Sequence, residues 1–292
     1  MSTPSGFLNV LKPPGMTSHD VVARVRRQLP RKTKVGHLGT LDPAATGVLP
    51  VAVGSATKLI PLVPNLGDQM KAYLAEIELG VRTDSDDLEG EVWERRDTSA
   101  LADWDGQRWQ AELDRFQGET EQVPPQVSAI RKDGQRAYAM VRKGQTVELA
   151  ARTIRVARCR FREWEPRTAR LKFFLVCSTG TYVRSIARDL GDRLEVGGAL
   201  AFLVRTQSGP FSLDSAITLE TMYQQGVPSL LLPEALPFYG LPRVEEQLIE
   251  KGRKLTGDFA PGQRYLASNG LLFGTDEPGI ARVESIFGSR EE

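Results

Sequence analysis

The stretch Gly36-His37-Leu38-Gly39-Thr40-Leu41-Asp42-Pro43-Ala44-Ala45-Thr46-Gly47-Val48-Leu49-Pro50 constrains this chain more than any other. It holds three glycines, two prolines and one carboxylate, so it reads as a tightly folded loop that presents Asp42 and then feeds a strand through Val48 to Val53. Loops of this make-up hold one side chain in place. Asp before Pro also starts turns for purely local reasons, and composition leaves both roles of Asp42 open.

At 292 residues the chain fits one large or two ordinary domains and is long enough to bury a core without staples. Lys and Arg number 38 against 37 Asp and Glu, so net charge selects no partner, and any nucleic-acid surface must come from local clustering. Arg24, Arg26, Arg27, Arg31, Lys32 and Lys34 form one cluster, and Arg131, Lys132, Arg136, Arg142 and Lys143 another. Such runs also serve simply as solvated faces. Cys159 and Cys177 each lie in an apolar, strand-like run, the pattern of two buried thiols in a reducing compartment. The amino terminus has no basic-then-apolar signal pattern, and no apolar run is long enough to cross a bilayer. The expectation is a soluble cytoplasmic protein.

Phe7 to Leu11 reads as a short strand that stops at Lys12-Pro13-Pro14-Gly15, after which Thr17-Ser18-His19-Asp20 resembles a capping box. The helix it opens carries Val21, Val22, Val25 and Leu29 on its apolar side and Arg24, Arg26 and Arg27 on the other. A helix begun near Ser55 carries Lys58. Ala72 to Leu79 alternates as a half-buried strand, with Tyr73, Ala75, Ile77 and Leu79 on one face. Arg82 to Gly90 is an acidic loop without the oxygen-ligand spacing of an EF-hand. Leu101 to Phe116 predicts a Trp-rich helix, Val123 to Ile130 a short strand, and Ala137 to Lys143 a second helix. Between Ile154 and Arg162 the alternation slips by one, which predicts a β-bulge. Arg170 to Cys177 is a strand, Thr181 caps a helix bearing Arg184, Ile186, Ala187, Leu190 and Leu194, and Gly198 to Thr206 is a strand containing Leu203 and Arg205. Gly226 to Pro242 marks a boundary, followed by a short helix near Val244 to Lys251 and brief strands around Arg264 to Ala267, Leu271 to Gly274 and Ile280 to Ile286.

His19 and His37 are the only histidines and do not share a helix face, so metal hydrolysis is disfavoured. No Walker loop, dinucleotide fingerprint or Gly-x-Ser-x-Gly elbow is present. What remains is a site without metal or cofactor, built on a carboxylate that acts as nucleophile or base on a sugar or base ring. Arg184 is a candidate to keep that carboxylate ionised, since a neighbouring Arg lowers a carboxylate pKa by about 1–3 units. Spacing alone is equally met by an arginine that faces water.

Three segments, Lys12-Pro13-Pro14-Gly15-Met16-Thr17-Ser18, the loop from Gly36 to Gly47, and Ser178-Thr179-Gly180-Thr181-Tyr182-Val183-Arg184-Ser185, resemble in order and spacing the bacterial TruB family of tRNA pseudouridine synthases. The resemblance runs from about Phe7 to Gly209. It implies an α+β fold: a catalytic domain over residues 1–240 with a mixed, mostly antiparallel sheet and flanking helices, then a small β-rich, PUA-like RNA-binding domain over residues 241–292. It implies isomerisation of the T-loop uridine at tRNA position 55, without cofactor or metal, by a monomer with no obligate protein partner and no membrane attachment. Carried over by residue, it makes Asp42 the catalytic aspartate, Tyr73 the residue that stacks on the uracil and helps remove the C5 proton, and Arg184 the partner of Asp42. Tyr182 and Leu203 line the pocket, and His37 occupies the space left by the flipped nucleotide. Lys12 and Lys58 support the structure or contact backbone. Arg24, Arg26, Arg27, Arg131, Lys132, Arg136 and Arg142 meet phosphates of a T stem-loop read mainly by shape. Leu88-Glu89-Gly90 departs from the Ala-Asp-Gly of relatives, in a loop outside the pocket motifs. Two other readings stand beside this one: an RNA chaperone that folds tRNA, alone or alongside the enzyme activity, and a glycosidase using Asp84 or Asp86 as its second carboxylate.

Overall fold

The computed structural model describes residues 4–62, 69–127, 131–132, 135–136, 149–228, 254–267, 270–275 and 277–286. The fold is α+β, with mostly antiparallel strands and few helices. The chain packs as two units, Met1–Gln69 with Gln207–Glu292, and Met70–Thr206.

The first unit begins with β1 (Gly6–Lys12), the helix α1 (Ser18–Arg27), β2 (Val35–His37) and β3 (Thr46–Val53). The expected capping box is present: Asp20 N donates to Thr17 Oγ1 at 3.0 Å and Thr17 N to Asp20 Oδ2 at 2.9 Å. Val21, Val22 and Val25 then face the core with Leu8, Val10, Leu49, Val51 and Val53, and Leu29 packs at the edge. β3 is antiparallel to β1 and, on its other side, to β2. On the opposite face Phe7, Val48 and Ala52 pack with Ala56, Leu59 and Phe211. The helix expected near Ser55 is a 3-10 turn, Gly54–Leu59.

The second unit holds β4 (Met70–Leu79), the hairpin β5 (Val81–Thr83) and β6 (Val92–Arg95), the helix α2 (Gly106–Asp114) and β7 (Gly118–Gln122). The short pair β8 (Arg131–Lys132) and β9 (Gln135–Arg136) follows, then β10 (Arg152–Glu165), β11 (Arg170–Ser178), the helix α3 (Val183–Arg193) and β12 (Gly198–Ser208). Its sheet runs β12-β4-β11-β10-β7. Tyr73, Ala75, Ile77 and Leu79 are buried together as the alternation requires. On the other face Arg170 pairs with Glu76 at 2.9 Å and Glu78 at 2.7 Å. The bulge predicted on β10 lies between Val156 and Arg158, and a second follows Phe161. Trp109, fully buried, sits 4.8 Å from Trp104 and 4.7 Å from Trp164, ring centre to ring centre. Gln110 sews α2 to β10 by donating to Cys159 O and accepting from Phe161 N, both at 2.9 Å.

Three expectations are corrected in this unit. The helix expected from Leu101 starts only at Gly106, because Asp105 caps it anew by accepting from Arg108 N at 2.8 Å. The strand expected at Val123 falls earlier, on β7; Pro124 and Pro125 have no N–H to give a ladder, and residues 128–130 lie outside the described residues. Thr181 does not cap α3: the cap position is Tyr182, and the Thr181 hydroxyl donates to Ser178 O at 3.0 Å instead.

The chain then returns to the first unit with β13 (Phe211–Ser212), which pairs with the last two residues of β12, β14 (Ile217–Thr218), parallel to β1, and the helix α4 (Leu219–Gln225). A separate antiparallel sheet is formed by β15 (Lys254–Thr256), β16 (Arg264–Ala267), β17 (Gly270–Gly274) and β18 (Ile280–Ile286), in the order β15-β18-β17-β16. The helices expected at Ala137 to Lys143 and Val244 to Lys251 lie outside the described residues, as does most of the Gly226 to Pro242 boundary.

Within α3, a Cβ on Gly191 would stand 2.1 Å from the backbone of Gly197 and Gly198, whose turn is tied down by Gly197 N donating to Gly191 O at 2.9 Å. Gly191→Ala therefore has to push α3 off the start of β12. It should cost at least about 2 kcal/mol, read as a lower urea midpoint at unchanged slope.

Candidate active site

The loop around Asp42 is held by its backbone. Lys12, at the end of β1, has no exposed surface, and its ammonium donates to Pro13 O and Pro43 O at 3.0 Å and to Ala45 O at 2.5 Å. Gly15 N adds a bond to Pro43 O at 2.9 Å. Ser18, the buried first residue of α1, grips Leu41 from both sides, its hydroxyl donating to Leu41 O at 3.0 Å and accepting from Leu41 N at 2.9 Å. The peptides flanking Asp42 are thus fixed by two residues of the Lys12-to-Ser18 segment, and the Asp42 side chain is left half-buried. The local role is also present, since Ala45 N donates to Asp42 O at 3.1 Å in a turn. His37 ends β2 opposite Val51, half-buried, and the next residue is anchored by Leu38 N to Pro50 O at 2.9 Å.

In the second unit Arg184 does not face water: the residue is 5% exposed. Its guanidinium donates to Ser85 O at 2.9 Å and Val127 O at 3.0 Å and stands 3.6 Å from Asp87 Oδ2. The acidic loop, expected to lie outside the pocket motifs, therefore packs on Arg184. It is moored to β12 by Leu200 N to Asp86 O at 2.9 Å and Leu88 N to Leu200 O at 3.0 Å. Its carboxylates are engaged by local donors: Ser85 Oγ and Glu89 N on Asp87, Glu91 N on Asp84, and Arg188 on Asp86 at 2.9 Å. The Gly90 of Leu88-Glu89-Gly90 is required where it stands, since a Cβ there would meet Ser85 Oγ at 2.2 Å.

Tyr182 is positioned by residues that sequence reasoning did not single out. Gln122 brackets its peptide, accepting from Tyr182 N at 2.8 Å and donating to Tyr182 O at 3.1 Å, and Arg152 lies over the ring at 4.5 Å. Tyr73 and Leu203 are buried on neighbouring strands β4 and β12. Arg205, two residues beyond Leu203 on the same face, is completely buried with its side chain hydrogen-bonded to Tyr73.

Burial dominates the electrostatics here. It pushes Asp86 up to about 6, ahead of the opposing pull of Arg188 and Arg184. It pushes Lys71, on β4, down to about 8, helped by Arg205. The two cysteines are free and buried, as expected, with Cys159 raised to about 12 and Cys177 to about 11.

Of the expected phosphate contacts, Arg26 and Arg27 are exposed on the last turn of α1 and Arg24 is half-buried there, a position that also suits the helix C-terminus electrostatically. Lys58 is exposed on the Gly54–Leu59 turn. Arg131, Lys132 and Arg136 lie on the β8–β9 pair, and Arg142 lies outside the described residues.

Comparison with known proteins places the chain in a family. The model described as "TruB family pseudouridylate synthase (N terminal domain)" matches residues 26–183, and "tRNA pseudouridylate synthase B C-terminal domain" matches residues 184–228. A protein of Carboxydothermus hydrogenoformans named tRNA pseudouridine synthase B is 46% identical over 97% of this chain and 98% of its own. One of the same name from Gloeobacter violaceus is 45% identical over 88% of this chain and 87% of its own. Among solved structures, a chain of a Cbf5-Nop10-Gar1 complex aligns with a TM-score of 0.65 at 25% identity, covering 98% of this chain and 86% of that one.

Two outcomes follow from the geometry. Lys12→Met keeps the volume but leaves the carbonyls of Pro43 and Ala45 without their buried donor, and should cost about 2–4 kcal/mol in thermal unfolding. For Asp86 the folded-state pKa lies above the unfolded one, so the folded chain holds the extra proton between pH 4 and about 6. Its contribution is therefore fully present below pH 4 and is lost as pH rises to 6. Relative to Asp86→Asn, the native chain should lose on the order of 1–3 kcal/mol across that window, measured as the difference in melting at each pH.

Proposed function

We propose the following reading for this chain, which belongs to the TruB family of pseudouridine synthases and carries out tRNA pseudouridylation. Its target is the T-loop uridine at position 55, flipped from its stack and isomerised at a site built on Asp42. The observation that supports this most is the backbone clamp of Lys12 and Ser18 about Asp42, which fixes a half-buried carboxylate in a loop otherwise rich in glycine and proline. A reacting carboxylate needs such fixing, because misplacement by about 1 Å costs roughly 10²-fold in rate.

In this reading Asp42 breaks the bond between uracil N1 and the ribose, and the base turns and reattaches through C5. Arg184 keeps Asp42 ionised; its burial on α3 and its fixed guanidinium suit a cation acting inside a pocket rather than one facing water. Tyr73 stacks on the base and takes the C5 proton, while Leu203 and Tyr182 line the pocket. Flipping costs a few kcal/mol, and His37 fills the gap that the base leaves. The exposed arginines at the end of α1, with Lys58 and the basic residues of β8 and β9, meet phosphates. The small sheet β15-β18-β17-β16 supports a PUA-like RNA-binding domain over residues 241–292. Two free, buried thiols suit the reducing cytoplasm.

Asp42→Asn retains the shape of the loop and removes the charge. Tritium release from C5-labelled uridine in tRNA should fall by at least roughly 10³-fold while tRNA affinity stays nearly unchanged. Turnover near the native rate would remove Asp42 from the mechanism, and release from free uridine would favour a glycosidase instead.

A further inference from the structure

Arg205 is deeply buried and lies outside the family segments that identify the site. It stands on β12 with no exposed surface, two residues past Leu203 and on the same face. A guanidinium is kept in such a place only when it is paired. Its side chain is hydrogen-bonded to that of Tyr73 on the adjacent strand β4. Arginine only donates, so the phenol oxygen is the acceptor. A tyrosine that merely fills a core needs a neutral partner at its oxygen, whereas this one is given a permanent cation.

We propose that Arg205 is the positioning residue of Tyr73, fixing the phenol ring against the reacting base and stabilising its ionised form so that it can accept the C5 proton. This rests on the reading of Tyr73 given above. Once the C1′–C5 bond has formed, C5 still carries its hydrogen. The C5–H bond breaks, its proton passes to the Tyr73 oxygen, and its electron pair forms the C5–C6 double bond. The former N1–C6 π pair moves to N1, which takes a proton from water, and the phenol later returns its own to water.

The other groups around Tyr73 within this unit do not replace Arg205. On its own strand Lys71 shares its face, but burial pushes that lysine down to about 8, so its charge fades in the range where a phenol is titrated. β11 places Leu175 opposite Tyr73 and Cys177 opposite Lys71, and burial keeps that thiol neutral up to about 11. α3 brings Arg184, which donates to Ser85 and Val127 beside Asp87. Arg205 alone of these is a guanidinium in direct contact with the phenol, and a guanidinium is the side-chain group that gives up its proton least readily. Burial works against that charge and the Tyr73 oxygen works for it, so the two groups are coupled.

The test is single-turnover pseudouridine formation on tRNA against pH, for the native chain, R205Q, R205K, Y73F and Y73F/R205Q. R205Q should be slower by roughly 10²-fold, the scale of a general base, with the acid limb of the profile moved to higher pH. R205K should recover most of the rate, and R205Q should add nothing to Y73F. An unmoved acid limb in R205Q, or losses that multiply in the double variant, would overturn the proposal and leave Arg205 as a structural cation. A Y73F chain with native turnover would instead remove the premise, whatever R205Q does. Should R205Q not fold, fluorotyrosine placed at position 73 of the native chain carries the test by fluorine NMR. Ionisation below that of the free amino acid supports the proposal, and ionisation at or above it overturns it.

Discussion

The ammonium of Lys12 is the interaction on which the Asp42 loop depends. It sits at the end of β1 without contact with solvent, and carbonyl oxygens stand in for the water it has lost. A buried cation needs such dipoles, and a loop with three glycines and two prolines needs fixed points, so each solves the other's problem. The prolines bring no N–H at Pro43 and Pro50, and the ladder at that end is closed by Leu38 N on Pro50 O. Asp42 is held because its neighbours are, with Ser18 and Lys12 taking the peptide groups on either side.

The second unit solves a comparable problem with longer reach. α3 begins at a tyrosine that offers no side-chain cap, and its start is fixed by Gln122 across 60 residues of sequence. Arg184 is fixed by carbonyls 99 and 57 residues away. Each of these polar groups is buried or nearly so, where a hydrogen bond is strong and an unmade one is costly. The result is a helix start and a buried guanidinium each fixed by partners far away in sequence.

Much of the local structure was legible in the sequence. The Thr17–Asp20 box, the alternation on β4 and the slipped phase on β10 are patterns within a few residues, and each appears where its period or spacing puts it. What was not legible depends on partners distant in sequence. Nothing near Lys12 says which carbonyls it will meet, and nothing near Arg205 names Tyr73. The carboxylates of the acidic loop are conspicuous in the sequence, but nothing there names the backbone N–H groups, Ser85 and Arg188 that engage Asp84, Asp86 and Asp87. Thr181 failed as a cap because its hydroxyl reaches the turn behind it before it can reach the helix ahead. For Asp42, Tyr73, Arg184 and His37 the family resemblance carried the expectation, and local chemistry alone left Asp42 open between a turn residue and a reacting carboxylate.

The burial of Cys159 and Cys177 has a practical consequence. With thiols raised to about 12 and about 11, the reactive thiolate at neutral pH amounts to on the order of one part in 10⁴ or less. Both sulfurs are shut inside the sheet, beyond the reach of alkylating probes. The native chain is therefore a silent background for thiol chemistry. A cysteine introduced at an exposed position such as Trp93 on β6 could take a fluorophore or spin label without first removing the two that nature placed inside.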